Sequence, residues 1–391
     1  MKTIGIILGT RPEAVKFAPL IHALREDSRF HLRVISTGQH REMLTHTLGE
    51  FGITPDVNFD IMEPGQSLTD VTHRALARFS ATSALDGLDV ALVHGDTATT
   101  LAGALAAFQA EVPIVHVEAG LRSGVATSPF PEEGNRKLVA QMAALHLAPT
   151  HGNFANLIRE GVPEKNIVIT GNTVVDALHW GLENVTGYGD PLLDDLDDDP
   201  RRVIVASAHH RVSHGAPMQA IADALADIAN RHDVRIVIPV HPNPAVRNVI
   251  VPALEGRDNI DLVEPLPYLA FCKLLQRSDI IVSDSSGAEE EGPALGIPTL
   301  VLRDVTERHE SLATGAARLV SRSRPQIIAE VERLLNDEEA YSTMANAIYP
   351  YGDGQATARS IEAIADFLAV PMARKDAMPH RSTLRRPVLT A

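Results

Sequence analysis

Two doubly wound, Rossmann-like α/β halves facing each other across a central cleft are the architecture this sequence predicts. Three observations predict it. Short apolar runs alternate with longer helical patterns, the alternation breaks once near the middle of the chain, and it then resumes in the same form. At 391 residues the chain has room for two or three domains, each able to bury its own core.

Taken in order, Lys2–Leu8, Leu32–Thr37, Val90–His94 and Ile114–Val117 read as buried strands, and Pro12–Glu26, Leu68–Leu85, Thr97–Gln109 and Glu132–His146 as helices. Strands alternating with helices imply parallel pairing through crossover connections. The stretch Thr186–Pro200 interrupts the pattern with six aspartates, no basic residue, and glycine and proline, which suits a domain linker or a surface loop just after one. Strands then follow at Arg202–Ser207, Arg235–Val240, Ile280–Ser283 and Thr299–Leu302, and a helix at Gln355–Leu368 closes the folded part. The expected division is a first domain over 1–170, a second over 171–354, and a helix over 355–370 that completes the first. The segment Pro371–Ala391 has five basic residues, one acid and little apolar periodicity, and reads as disordered.

Charge excludes some functions. With 35 Lys and Arg against 50 Asp and Glu, the net charge is −15, which argues against general affinity for nucleic acid or acidic membranes. A few placed cations can still capture one specific anion. The lone Cys272 forms no internal disulfide or multi-thiolate zinc site. The N-terminal apolar run is too short for a signal peptide, and none reaches the roughly 18 residues of a membrane span, so a cytoplasmic protein is expected.

The chemistry-bearing residues gather where strands end. Gly9-Thr10-Arg11-Pro12-Glu13 closes the first strand, with Lys16 one helical turn on, and a helix N-terminus after a glycine turn suits an anion. Asp96 and Glu118 follow the strands Val90–His94 and Ile114–Val117, and Glu132 begins a helix. Singly, Asp96 has an ordinary explanation as a helix cap and Glu132 as an acid in a first turn. Together they place three acids at successive edges of one cleft, where carboxylates in different environments trade protons with a substrate. In the second half, His209, His210 and His214 lack a companion acid at metal-ligand spacing, so no metal is expected. Ser283-Asp284-Ser285-Ser286-Gly287 before a helix looks like a phosphate cradle, and Glu291 on that helix is placed to take hydrogen bonds from ribose hydroxyls. This half reads as a nucleoside-diphosphate site.

These motifs resemble the non-hydrolysing UDP-N-acetylglucosamine 2-epimerases, in order and with little insertion, from Met1 to about residue 370. The most specific are Gly9 through Lys16, Gly95-Asp96-Thr97, His116 through Arg122, Pro131-Glu132-Glu133 with Asn135-Arg136, Gly171 through Asp176, and Tyr351-Gly352-Asp353-Gly354. The resemblance implies the B-type glycosyltransferase fold, a homodimer, a UDP-sugar substrate and no cofactor. It implies anti elimination of UDP to 2-acetamidoglucal, with re-addition giving the epimer at carbon 2. By position, Asp96, Glu118, Glu132, Lys16 and His209 match catalytic residues. Arg11, Arg211, His241, Phe271, Ser285, Ser286, Gly287, Glu291 and Arg308 match nucleotide-binding ones. Gln39, Arg41 and His241 lie where some bacterial members bind an activating second substrate molecule. The chain departs from the family pattern at His210, Val212 and Ser213, at Ser286, at Glu289 and at His309, all in the nucleotide half. The elimination chemistry is therefore expected to be retained, while the nucleotide or leaving group is the part open to change. A different nucleotide sugar, or a glycosyltransferase of the same fold, is the alternative.

Overall fold

A computed structural model describes residues 1–370 apart from Ser128, Arg211, Val212, Val305 and Glu307. The readings made at Arg211, Val212 and Pro371–Ala391 lie outside the described residues. In the first part, strands β1 (Lys2–Leu8), β2 (Phe30–Ser36), β3 (Val57–Asn58), β4 (Val90–His94), β5 (Ile114–Val117), β6 (Leu145–Ala148) and β7 (Ile167–Ile169) alternate with helices α1 (Arg11–Glu26), α2 (Arg41–Glu50), α3 (Leu68–Ala81), α4 (Ala98–Gln109), α5 (Glu132–Met142) and α6 (His151–Arg159). Helix α7 (Thr173–Asn184) leads into the second part. There β8 (Arg202–Ser207), β9 (Val234–Pro239), β10 (Ile260–Val263), β11 (Ile280–Ser283), β12 (Thr299–Val301) and β13 (Ala317–Leu319) alternate with α8 (Ala216–Arg231), α9 (Pro244–Leu254), α10 (Tyr268–Arg277), α11 (Ser286–Ala294), α12 (His309–Thr314) and α13 (Arg324–Asn336). Helices α14 (Glu338–Ala345) and α15 (Ala356–Phe367) end the described chain.

The two sheets repeat one winding. The first has seven strands in the order β3-β2-β1-β4-β5-β6-β7, the second six in the order β10-β9-β8-β11-β12-β13, and every pairing is parallel. In each, the chain winds outward from its first strand and then returns to that strand's other side. The resulting switch points, β1/β4 and β8/β11, open at the carboxyl ends of the strands, where sheets of this kind take their ligands. Both faces of each sheet are covered, so the strands are near-continuous apolar runs: Ile4, Ile6 and Leu8 lie in one core cluster, and Ile7, Ala91 and Val93 in the cluster on the opposite face.

The last helix returns to the first sheet's side. Ile361 and Ile364 of α15 are buried in the same cluster as Leu20, Ile21 and Leu24 of α1. Asp176 of α7 accepts hydrogen bonds from Ala356 N at 3.2 Å and Thr357 N at 2.8 Å, capping that helix. Asn172 N donates to Tyr351 O at 2.6 Å. Gly171, with φ +88°, lies so close that a Cβ there would stand 3.3 Å from Tyr351 O. The two motifs Gly171–Asp176 and Tyr351–Gly354 are thus two sides of one chain crossing.

Some element readings change. The helix expected over Glu132–His146 stops at Met142, because Ala143 turns extended and Leu145–Ala148 pairs with both β5 and β7 as a strand. The helix expected to reach Leu85 ends at Ala81, where Thr82 becomes extended. The acidic stretch is not a loose linker. Leu193 and Leu196 are fully buried, Asp195 and Asp199 pair with buried Arg235 at 2.8 and 3.1 Å, and Asp197 pairs with Lys273 at 2.8 Å. Arg235 and Lys273 supply the positive charge missing from the stretch itself.

Candidate active site

At the first switch point the backbone is drawn tight. A Cβ at Gly9 would fall 2.1 Å from Thr37 Oγ1, so only glycine fits between the loops. Buried Glu13 accepts from the backbone N–H of Gly9 and Thr10, each at 2.8 Å, and from the hydroxyls of Thr97 at 2.6 Å and Thr100 at 2.8 Å. Burial pushes its pKa up while these donors pull it back. Glu13 therefore locks the loops after β1 and β4 together. Arg11 opens α1, half-buried, and makes no ion pair with a described carboxylate.

Asp96, just past β4, pairs with buried Arg136, and Asn135 Nδ2 donates to its backbone carbonyl at 2.8 Å. Glu118, just past β5, sits in left-handed backbone at φ +61°, a conformation that costs a non-glycine residue about 1–3 kcal/mol and persists only where surroundings hold it. Its surroundings do so: Lys16 Nζ bonds its Oε1, Asn172 Nδ2 donates to the same oxygen at 2.8 Å, and His94 Nδ1 lies 3.7 Å from Oε2. Burial alone would raise the Glu118 pKa, but Lys16, then His94 and Arg308, hold it well below the usual carboxylate range. Burial works against the Lys16 ammonium too, and the carboxylates of Glu118 and Glu290 outweigh it, leaving that pKa raised. Lys16 is thus no solvated surface cation. Glu132 is half-buried as the first residue of α5, at a helix start and not at a strand edge. Its neighbour Glu133 is a brace, fully buried, accepting from Ser123 N at 3.0 Å.

The second switch point is organised by Asp284. This buried carboxylate accepts from His209 N at 3.0 and 3.1 Å, from His210 N at 3.0 Å and from Ser213 Oγ at 2.7 Å. The loop after β8 is thereby folded back onto β11, which leaves His209 stacked on His241 with ring centroids 5.3 Å apart. Ser285 stands at the N-cap position of α11, with Ser286 and Gly287 in its first turn, and the Ser285 N–H is held by Ser283 Oγ at 2.9 Å. Glu291, further along α11, is pushed up to about 7 by burial. Phe271 on α10 is half-buried against the β11 cluster. Arg308 caps α12 and donates through Nε to Glu290 at 2.9 Å. Among the described residues no group of three or more potential metal ligands gathers, and no helix is long and apolar enough to cross a membrane.

Lys16, Glu118 and Arg308 are brought into one buried network, joined by two residues that sequence reasoning assigned no part. Glu290 pairs with Lys16 at 2.9 Å and with Arg308, and Asn172 Nδ2 bridges Glu118 and Glu290 at 2.8 and 3.3 Å. Asn172 lay within a recognised motif, and Glu290 beside Glu291; the signal available was an acid in the helix after the phosphate cradle. Asp284 was likewise quoted in that cradle without a role. Gln39 accepts from Thr99 N and Oγ1 at 3.3 and 2.8 Å, and exposed Arg41 pairs with Asp60, so both have partners within the first part. Of the departures from the family pattern, Glu289 is fully buried and accepts from Thr306 Oγ1 at 2.8 Å, whereas His309 is exposed.

The model of one family, UDP-N-acetylglucosamine 2-epimerase, matches residues 22–365. The chain belongs to that family. An Escherichia coli K12 relative named UDP-N-acetylglucosamine 2-epimerase is 47% identical over 365 residues, covering 92% of this chain and 97% of the relative. Among solved structures, the Neisseria meningitidis UDP-GlcNAc 2-epimerase bound to UDP-GlcNAc superposes with a TM-score of 0.86 at 39% identity, over 94% of this chain and 100% of the other. S. aureus MnaA in a co-structure with UDP gives a TM-score of 0.88 at 39% identity, over 97% and 100%. Family members are isomerases, and the paired parallel sheets of this epimerase-family chain are the B-type glycosyltransferase-like fold.

Proposed function

We propose that the chain interconverts UDP-N-acetylglucosamine and UDP-N-acetylmannosamine without hydrolysis. The carbon 2 proton is not next to a carbonyl, so direct deprotonation is too costly. Loss of that proton with anti departure of UDP forms a double bond between carbons 1 and 2, giving 2-acetamidoglucal. Protonation at carbon 2 from the opposite face and return of the diphosphate oxygen to carbon 1 complete the exchange. One observation carries this reading: the paired Lys16 and Glu118 stand at one switch point, with Asp96 beside them in the sheet, while His209 and the start of α11 stand at the other. Carboxylates move the proton, and cations and N–H groups stabilise the leaving diphosphate.

In this reading Asp96, Glu118 and Glu132 share the proton transfers. Lys16 and His209 serve the reacting centre and the diphosphate. Arg11, Arg211, His241, Phe271, Ser285, Ser286, Gly287, Glu291 and Arg308 hold UDP, between domains spanning 1–170 and 171–354 in a homodimer. The Neisseria and S. aureus structures, solved with UDP-GlcNAc and with UDP, support the ligand. The internal bonding of Glu289 to Thr306 favours an unchanged nucleotide, because that departure is absorbed inside the protein. A panel of nucleotide sugars in deuterated water tests the proposal. Deuterium is expected at carbon 2 of the UDP-N-acetylhexosamines. Label entering only a non-UDP compound, or sugar transfer to an acceptor without exchange, overturns it.

A further inference from the structure

We infer that Glu290 is a positioning residue for the proton transfer: reaching over from α11, it sets the place and charge state of the Lys16–Glu118 pair. The inference rests on the epimerase reading and goes beyond it, because Glu290 belongs to neither the acids nor the nucleotide contacts named above. Its side chain is 1% exposed, and among the described residues it is the carboxylate paired with both cations of the network, Lys16 at 2.9 Å and Arg308 Nε at 2.9 Å. Asn172 holds it in register with Glu118 by donating to both. Lys16 and Glu118 come from the first sheet's helices and loops, Glu290 and Arg308 from the second's. The network around the pair is therefore complete only when the facing edges of the two sheets are together.

The charged and titratable groups around the pair come from every side. Lys16 lies on α1, His94 at the end of β4, Glu118 after β5, Glu290 on α11 and Arg308 before α12. Beyond them stand Glu291, which feels Arg11, and Tyr349, whose hydroxyl donates to the Glu290 backbone carbonyl at 2.8 Å. Removing the Glu290 charge leaves Lys16 with Glu118 alone and with the repulsion of Arg308, so Lys16 gives up its proton more readily. An opposite charge at such range is worth about 1–3 pKa units.

Two variants test this in opposite directions. Glu290→Gln should lower kcat by about 10-fold or more with little change in KM, and move the alkaline limb of the kcat profile down by about one pH unit. Asn172→Asp keeps the acceptor that caps α7 through Val174 N but adds a third carboxylate, so the acid limb should move up by a similar amount. A residue that merely supports packing would lower stability and move neither limb. The chain has six lysines, so ε-carbon-13 NMR of labelled protein, assigned with Lys16→Met, follows the Lys16 titration whether or not turnover occurs. A Lys16 signal in Glu290→Gln that titrates as in the unaltered protein overturns the inference. A shifted signal in the variant, with no exchange at carbon 2 by the unaltered protein, upholds the coupling and counts against the epimerase reading instead.

Discussion

Asp284→Asn tests how the second switch point is built. Three donors converge on the buried carboxylate: the backbone N–H groups of His209 and His210 and the Ser213 hydroxyl. All three donors reach Oδ2; asparagine keeps one acceptor oxygen there and sets an NH₂ group in the place of Oδ1, where the His209 N–H loses its second acceptor and meets a donor instead. That costs about 1–3 kcal/mol. The remaining bonds lose the charge assistance that makes bonds to a carboxylate roughly twice as strong as neutral ones. The two effects together come to about 3 kcal/mol. At roughly 2–4 °C per kcal/mol, the melting midpoint falls by about 6–12 °C. The loop carrying His209 loosens with it, so UDP binding by calorimetry should weaken while the first sheet's site is untouched. Ser213→Ala removes one donor and leaves the acceptor charged, and should cost only about 1 kcal/mol. An Asp284→Asn protein with unchanged melting and unchanged UDP affinity would refute the claim that this carboxylate folds the loop.

Three further outcomes follow from the packing. Glu291 has its pKa raised from an ordinary 4.5 to about 7 by burial, so the folded state holds a proton that the unfolded state releases between those values. Stability from this group is therefore full below about pH 4.5 and lost as pH rises through 7. Glu291→Gln should be more stable than the parent at pH 8 by up to ~3 kcal/mol, with the gain gone near pH 4.5 in denaturant titrations. Arg235→Leu strips the shared partner from Asp195, Asp199 and Asp261 and the donor from Leu192 O, and should destabilise by about 3–5 kcal/mol in the same assay. Gly9→Ala places a methyl 2.1 Å from Thr37 Oγ1 and should cost about 1–3 kcal/mol in stability, with loss of carbon 2 exchange larger than the stability loss accounts for.

Much of the fold was legible because its signals are local. Five strand readings, Lys2–Leu8, Val90–His94, Ile114–Val117, Arg202–Ser207 and Ile280–Ser283, match their observed bounds, since a strand buried on both faces is a plain apolar run with a turn after it. What escaped was short or distant. Val57–Asn58 and Ala317–Leu319 are shorter than any period can register, and Leu145–Ala148 continues an apolar pattern that began as a helix. The acidic stretch misled for a related reason: Arg235 and Lys273 sit on β9 and α10, and nothing local shows that they fold back onto it. Glu290 was passed over because its partners, Lys16 and Arg308, come from different elements that only the folded chain brings to it.

The sites that were legible and the links that were not differ in kind, and the difference bears on charge. A net −15 describes the whole surface, yet the acids closest to the cleft do not confront an incoming anion with free charge. Glu13 is surrounded by two backbone N–H groups and three threonine hydroxyls, Asp284 by two N–H groups and a serine, and Glu118 and Glu290 by Lys16, Arg308 and Asn172. Each of these carboxylates holds a loop or a cation in place, and Glu118 is also the one among them proposed to move a proton. Arg11, unpaired with any described carboxylate, and the first turn of α11 remain as donors at the two switch points. In the proposed reading a protein this acidic receives a diphosphate because its acids shape the site from behind, and the local donors, not the sum of charges, meet the ligand.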